Sequence, residues 1–134
     1  MRDVSTEELF PSYEQRIIAI DGSKLSVWIA DTGSKRERGL MHVREIPKDT
    51  GMLFLFQNKE MQSFWNKNTL LDLDILWIAD GVIAGISALP SVEKSKEIVI
   101  VFSPVAADTV LEVSAGWVQE QSISIGNKVS FEEN

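Results

Sequence analysis

The sequence predicts a mainly β domain, a compact antiparallel sandwich or barrel with one or two short helices. Asp21-Gly22 and Asp80-Gly81 are each flanked by apolar runs, a pattern typical of tight β-hairpins. Short strand-like runs follow one another closely from residue 52 to residue 114. No helical pattern is long enough to connect parallel strands, which favours antiparallel pairing throughout.

The first third of the chain should contain one hairpin and one helix. RIIAID and KLSVWIAD lie on either side of Asp21-Gly22 and predict the two strands of the hairpin. Asp31 or Thr32 can cap a helix over residues 33–41, which should end near Gly39 because glycine readily adopts the left-handed conformation.

The rest of the chain should be mostly strands. Four runs at close spacing predict an antiparallel meander over residues 52–56, 62–66, 73–79 and 82–88. The pattern then predicts strands at 97–102 and 109–114, a second short helix at 115–121, and a last strand in KVSFE after the Gly126-Asn127 turn.

The chain is expected to form a leader over residues 1–15 and a single β-rich domain over residues 16–134. Residues 1–15 are polar, contain Pro11 and show neither helical nor strand periodicity. Residues 1–12 offer few apolar groups to a core, so their deletion should cost little stability. The 134 residues, 44% of them apolar, are enough for one core without disulfides or metals.

Composition limits the partners and cofactors. With 13 basic and 20 acidic residues the net charge is -7, which argues against nucleic acid and anionic membranes as partners. No apolar run approaches the roughly 18 residues of a membrane span. The chain has no cysteine and one histidine, His42, and no loop has calcium-binding spacing, so we expect no metal and no cofactor. The sequence leaves the oligomeric state open.

The segment with the highest density of polar side chains follows the strand-like run that ends near Trp65. Asp74 shares a strand face with Leu76 and Ile78, so its carboxylate should enter the core and need a partner. Lys67 is the nearest candidate in the sequence. A flat, apolar tryptophan ring beside amide, ammonium and carboxylate groups is typical of a site for a sugar-like polar molecule or a peptide. The predicted ligand-binding residues are Trp65, Lys67, Asn68, Thr69, Asp72, Asp74 and His42.

Other interpretations of these residues remain open. The polar segment can simply pin the loop between two strands. Asp72 and Asp74 can instead be the acid and base of a glycan-acting hydrolase, since paired carboxylates perform that chemistry. A third possibility is a structural domain that offers a sheet edge to a protein partner. Trp28, Trp77 and Trp117 are expected to pack in or beside the core.

Several short sequence motifs, taken in their order along the chain, resemble the domain of unknown function 192 family. They are ADTGSKRERGLMH, GMLFLF, SFWNKNTLLDLDILWI, VLEVSAGW and IGNKV, and they cover about residues 25 to 130. The resemblance implies a mostly β fold of sandwich or jelly-roll type, a location outside the cytoplasm, and no established activity. The chain departs from the usual family residues at Val43, Asn66, Asp72 and Asn127, where Arg, Met, Pro and Asp are common.

Overall fold

The computed structural model describes residues 9–132 and shows a mainly β protein. Within these residues the strands are β1 (Gln15–Ile20), β2 (Ser23–Ala30), β3 (Thr50–Glu60), β4 (Ser63–Trp65), β5 (Leu73–Ala79), β6 (Val82–Leu89), β7 (Ile100–Phe102), β8 (Ala107–Ser114) and β9 (Val129–Phe131). The helices are α1 (Gly33–Arg38), α2 (Val92–Ser95) and α3 (Trp117–Glu120). The predicted mainly β class is confirmed.

Seven strands form one curled sheet, in the order β6-β5-β8-β3-β2-β1-β9. Its two edge strands approach each other where Val82 forms an antiparallel bridge with Lys128, so the sheet curls towards a barrel. The remaining strands, β4 and β7, pair with each other in a separate two-stranded sheet. Curling brings the edges together and leaves less unpaired backbone exposed.

Both predicted Asp-Gly hairpins are present. Asp21 and Gly22 have φ values of 46° and 86°, and Asp80 and Gly81 have values of 53° and 74°. Two successive positive φ angles give a tight turn whose twist matches the strands, and Asp and Gly tolerate this conformation. The two turns join β1 to β2 and β5 to β6.

Two expectations about strand pairing are wrong. β2 and β3 pair in parallel, although the sequence favoured antiparallel pairing throughout. The connection spans residues 31–49, which is long enough to cross over although α1 has only six residues. The expected meander also fails, because β3 pairs with β2 and β8 while β4 leaves the main sheet.

The predicted helices are present but shorter, and a third helix was not predicted. Thr32 caps α1, its side-chain oxygen accepting a hydrogen bond from the Lys35 backbone N–H at 3.2 Å. Gly39 ends this helix with a φ of 51°. The unpredicted turn, α2, is capped in the same way by Ser91. A single turn has too few residues to show helical periodicity, so the sequence pattern does not reveal it.

The main sheet is packed on both faces. One cluster covers one face and includes Ile18, Leu25, Leu53, Leu76 and Leu111. The second covers the opposite face, beneath the β4–β7 sheet, and includes Trp28, Phe54 and Trp77. Trp28, Trp77 and Trp117 are all buried, as expected.

The chain before β1 also contributes to the second cluster. Phe10 is 2% exposed, and its ring lies 5.0 Å from that of Trp28 in an edge-to-face arrangement. The expectation that residues 1–12 offer little to the core is therefore wrong at Phe10. Residues 1–8 of the predicted leader lie outside the described residues, and the division into leader and domain stays a prediction.

Replacing Phe10 by alanine should lower the free energy of unfolding by about 3 kcal/mol, because it removes a buried ring from a packed cluster. Urea unfolding followed by tryptophan fluorescence measures this loss. Met61, which is 64% exposed, provides the control, and Met61→Ala should leave the midpoint nearly unchanged. Equal midpoints for the Phe10 variant and the parent chain would contradict the assigned role of this ring.

Candidate functional site

Four of the seven predicted site residues lie together. His42, Trp65, Lys67 and Asn68 line one open concavity of about 490 Å³. The His42 backbone N–H donates to the Asn68 carbonyl oxygen at 2.8 Å, which joins the loop after α1 to the loop after β4. The Lys67 ammonium lies 5.2 Å from the centre of the Trp65 ring, within cation–π distance. Trp65 is 46% exposed, as a ligand platform requires.

Asp74 lies elsewhere, and the expected Lys67–Asp74 pair is not formed. Its Oδ2 accepts hydrogen bonds from the backbone N–H groups of Gly116 and Val118, at 3.0 and 3.2 Å. These donors lie at the start of α3, where N–H groups have no partner within the helix and attract a carboxylate. Asp74 therefore fastens α3 to β5 and does not need an ammonium partner.

Asp72 is also used in joining loops. Its Oδ1 accepts a hydrogen bond of 2.7 Å from the Ser91 backbone N–H, just before α2. That bond lowers the pKa of the Asp72 carboxyl, because it favours the ionised form. Lys94 lies 3.9 Å from the other carboxylate oxygen. Asp72 and Asp74 thus each hold a different short helix.

Thr69 lines a second, narrower cavity of about 250 Å³ between α1 and β4. Four aromatic side chains also line it, contributed by β3 and β4: Phe54, Phe56, Phe64 and Trp65. The two concavities share Glu37, Met41 and Trp65, so they are adjoining parts of one region. We call the 250 Å³ space the aromatic cavity and the 490 Å³ space the outer concavity.

Glu112 is the carboxylate that lines the aromatic cavity from the sheet. It lies in β8 opposite Met52 of β3 and Ile75 of β5, both fully buried. The Glu112 residue is 4% exposed, and within residues 9–132 its side chain has neither a hydrogen-bond partner nor an ion pair. Its carboxyl oxygens are not fully enclosed and reach the surface of the cavity. Burial raises the pKa of this carboxyl to about 8, because the charged form is poorly solvated there.

Gly39 leaves the space above this carboxyl. A Cβ at Gly39 would lie 3.3 Å from the Phe54 ring and 3.7 Å from Glu112 Oε1. Arg36 also lies on the cavity wall, and it forms no ion pair with Glu112. Its Nη1 donates to the Leu55 carbonyl oxygen at 2.9 Å, and its guanidinium lies over the Phe56 ring.

The sequence prediction missed Glu112, although a signal was present. In TVLEVS the glutamate alternates with Val110 on one strand face, and Leu111 and Val113 occupy the other. A charged residue in a strand that is apolar on both faces indicates a buried carboxylate. Within the described residues, no group of three His, Asp or Glu side chains is arranged so that it could hold a metal ion.

Glu112→Gln should remove one component of the pH dependence of stability. The folded chain retains a proton on Glu112 that the unfolded chain releases above pH 4.5, so stability is lost as pH rises towards the folded pKa of about 8. Between pH 4.5 and 7 the free energy of unfolding of the parent chain should fall by roughly 3 kcal/mol relative to that of the Gln variant. Denaturant unfolding at a series of pH values measures the difference.

Glu37→Gln is the matched control, because Glu37 is an exposed carboxylate beside the same cavity. Its stability should follow that of the parent chain at every pH. A constant difference between the Glu112→Gln variant and the parent across this range would show that Glu112 is solvated or paired.

Asp74→Ala should lower the free energy of unfolding by about 1 to 2 kcal/mol, since it removes the acceptor for two N–H groups of α3. Lys67→Met should change it by less than about 0.5 kcal/mol, because Lys67 is exposed and has no ion pair with Asp74. Thermal melts of the two variants measure these two losses of stability. Equal losses would contradict the assigned role of Asp74 and would support an interaction between Lys67 and Asp74.

No curated protein matches. A protein from Sinorhizobium meliloti 1021, provisionally described as a transcription regulator, is 36% identical, with a TM-score of 0.81 over 90% of this chain and 95% of that one. A protein of unknown function from Novosphingobium aromaticivorans DSM 12444 has the same fold at 22% identity, with a TM-score of 0.77 over 96% of this chain and 99% of that one.

The family comparison covers nearly the whole β-rich region. The model of the DUF192 family, described as an uncharacterized ACR, matches residues 16–131. This range includes every strand except the first residue of β1, and it includes both concavities. The chain is a member of the domain of unknown function 192 family.

Proposed function

We propose that this protein is a non-enzymatic binding domain for a small molecule, which occupies the aromatic cavity and extends into the outer concavity. The observation that carries the proposal is Glu112, a buried carboxyl without a partner at the wall of a space lined by aromatic rings. The carboxyl oxygens of Glu112 reach the cavity surface, since no fully enclosed side-chain oxygen or nitrogen in residues 9–132 lacks a partner. A ligand group in the cavity can therefore bond directly to a carboxyl that has no partner within the described protein.

The outer concavity suits the polar part of such a ligand. Trp65 lines both spaces and offers an exposed ring, while His42, Lys67 and Asn68 supply donors and acceptors around it. Small-molecule sites commonly combine apolar walls with a few polar groups that fix orientation. This arrangement supports a sugar-like molecule or the side chain of a peptide as the bound group.

The hydrolase hypothesis receives less support. Asp72 and Asp74 both accept backbone hydrogen bonds, from the starts of α2 and α3 respectively. Neither lines the aromatic cavity or the outer concavity. An acid and base for glycan cleavage must both face the scissile bond, and these carboxylates serve structural bonds instead.

A protein-partner function is the second candidate, and the outer face of the β4–β7 sheet favours it. Trp65, Ile100 and Phe102 are 46%, 48% and 67% exposed, and Trp65 pairs directly with Ile100 across the two strands. Exposed apolar side chains grouped in this way mark interaction surfaces. Trp65 belongs to both the apolar face and the cavities.

The description of the S. meliloti relative as a regulator suggests a third role, but the charge of this chain weighs against direct DNA contact. A net charge of -7 repels the phosphate backbone, which DNA-binding proteins neutralise with Lys and Arg. A regulator that senses a small molecule would still be compatible with the proposed binding domain.

Trp65→Ala and Phe102→Ala should separate the two candidate functions. Screening small polar and aromatic molecules by chemical-shift changes should identify ligands that perturb Phe54, Phe64 and Glu112. Trp65→Ala should weaken these ligands at least about ten-fold, since a stacked aromatic contact of about 1.4 kcal/mol is lost. Phe102→Ala removes an exposed ring outside both cavities and should leave their affinity unchanged.

The other outcomes are equally informative. Ligands weakened by Phe102→Ala, with shifts confined to β4 and β7, would favour the protein-facing surface over the cavity. If no molecule in the screen perturbs the cavity residues at millimolar concentration, the small-molecule proposal is wrong.

A further inference from the structure

We propose that the aromatic cavity binds a small organic cation, an ammonium carried on a short apolar chain, with Glu112 as its counter-ion. This inference rests on the proposed function and specifies the charge of the ligand. The cavity volume of about 250 Å³ limits the ligand to a small group.

The unpaired carboxyl determines which charge gains most. A cation would supply the partner that Glu112 lacks, and a charge-assisted hydrogen bond is stronger than the one a neutral group can form. An anion would face the Glu112 carboxyl and the Glu37 carboxylate at the rim. Arg36 also lines the cavity, but its guanidinium already contacts the Leu55 carbonyl oxygen and the Phe56 ring.

The walls have the chemistry that organic cations prefer. The faces of aromatic rings attract cations through their quadrupole, and organic ammonium ions are recognised in this way. Rings of this region already contact cations of the protein itself. Arg36 lies 5.3 Å from the centre of the Phe56 ring, and Lys67 lies 5.2 Å from the centre of the Trp65 ring.

An organic cation fits these walls better than a metal ion. Metal ions of the calcium or magnesium type need several oxygen ligands, and no group of three acidic or histidine side chains occurs in residues 9–132. One carboxyl group among aromatic rings satisfies an ammonium that keeps its other N–H donors towards the polar outer concavity.

Binding should release a proton. At pH 7 Glu112 is mostly protonated, so association converts the carboxylic acid and an ammonium into a carboxylate–ammonium pair and a free proton. From α1, the charged groups that face the cavity are Arg36 and Glu37. The residues of β3 and β4 that line it have no side chain that ionises near neutral pH: Phe54, Phe56, Ser63, Phe64 and Trp65. The proton released thus comes from Glu112.

The experiment uses three probes of similar size: butylammonium chloride, 1-butanol and sodium butyrate. Chemical-shift titrations of the full chain should show butylammonium binding at least ten-fold more tightly than the other two at pH 8. Its affinity should rise about ten-fold from pH 7 to pH 9, because each pH unit below the Glu112 pKa costs up to a factor of ten. Calorimetry in two buffers of different ionisation enthalpy should count close to one proton released at pH 7.

Glu112→Gln should remove both the preference for butylammonium and its pH dependence, while Glu37→Gln keeps the pH dependence. A cavity that binds 1-butanol or butyrate but not butylammonium would overturn the cation inference and leave the small-molecule proposal intact. Butylammonium binding that is independent of pH, or unchanged in Glu112→Gln, would also overturn it. If none of the three probes perturbs the cavity residues, the cation inference is wrong, and the wider screen of small molecules then decides the small-molecule proposal.

Discussion

Strand β8 lies between β3 and β5, and both faces of the sheet are covered around it. Such a strand must carry apolar side chains on both sides, since each side chain leaves water on folding. Val110, Leu111 and Val113 meet this requirement. Glu112 does not, and its side chain lines the cavity that lies between this face of the sheet, α1 and β4. The aromatic cavity is the space left over this single carboxyl.

The hairpins and the buried strands could be predicted from the sequence because they depend on local chemistry. Asp-Gly pairs fix two tight turns, and apolar runs such as LDILWIA form strands wherever the chain folds. The pairing of β2 with β3 could not be predicted in this way. Two parallel strands joined by a connection of residues 31–49 contact each other only through the folded sheet, and no local pattern specifies that contact.

The part of the candidate site that depends on neighbouring residues could be predicted from the sequence, and the part that depends on distant contacts could not. His42, Trp65, Lys67 and Asn68 meet because two loops are hydrogen-bonded to each other, and the polar segment itself indicated three of the four. Asp72 and Asp74 were assigned to the site by their neighbours in sequence, but their partners come from α2 and α3, more than fifteen residues away. The apolar strand around Glu112 indicated a buried carboxylate, but its place at the cavity could not be predicted, because its neighbours there are distant in the sequence.

The crossover from β2 to β3 has a consequence for the outer wall of the cavity. α1 contributes no buried residue, and the contacts that join it to the rest of the protein are made by the side chains of Lys35, Arg36 and Arg38. Leu40, just after the helix, is buried. Segments with few buried apolar contacts open at a small fraction of the global unfolding free energy. We therefore expect α1 to move away from β3 more readily than any strand of the main sheet, so that exchange of a molecule at Glu112 requires no strand to leave its place.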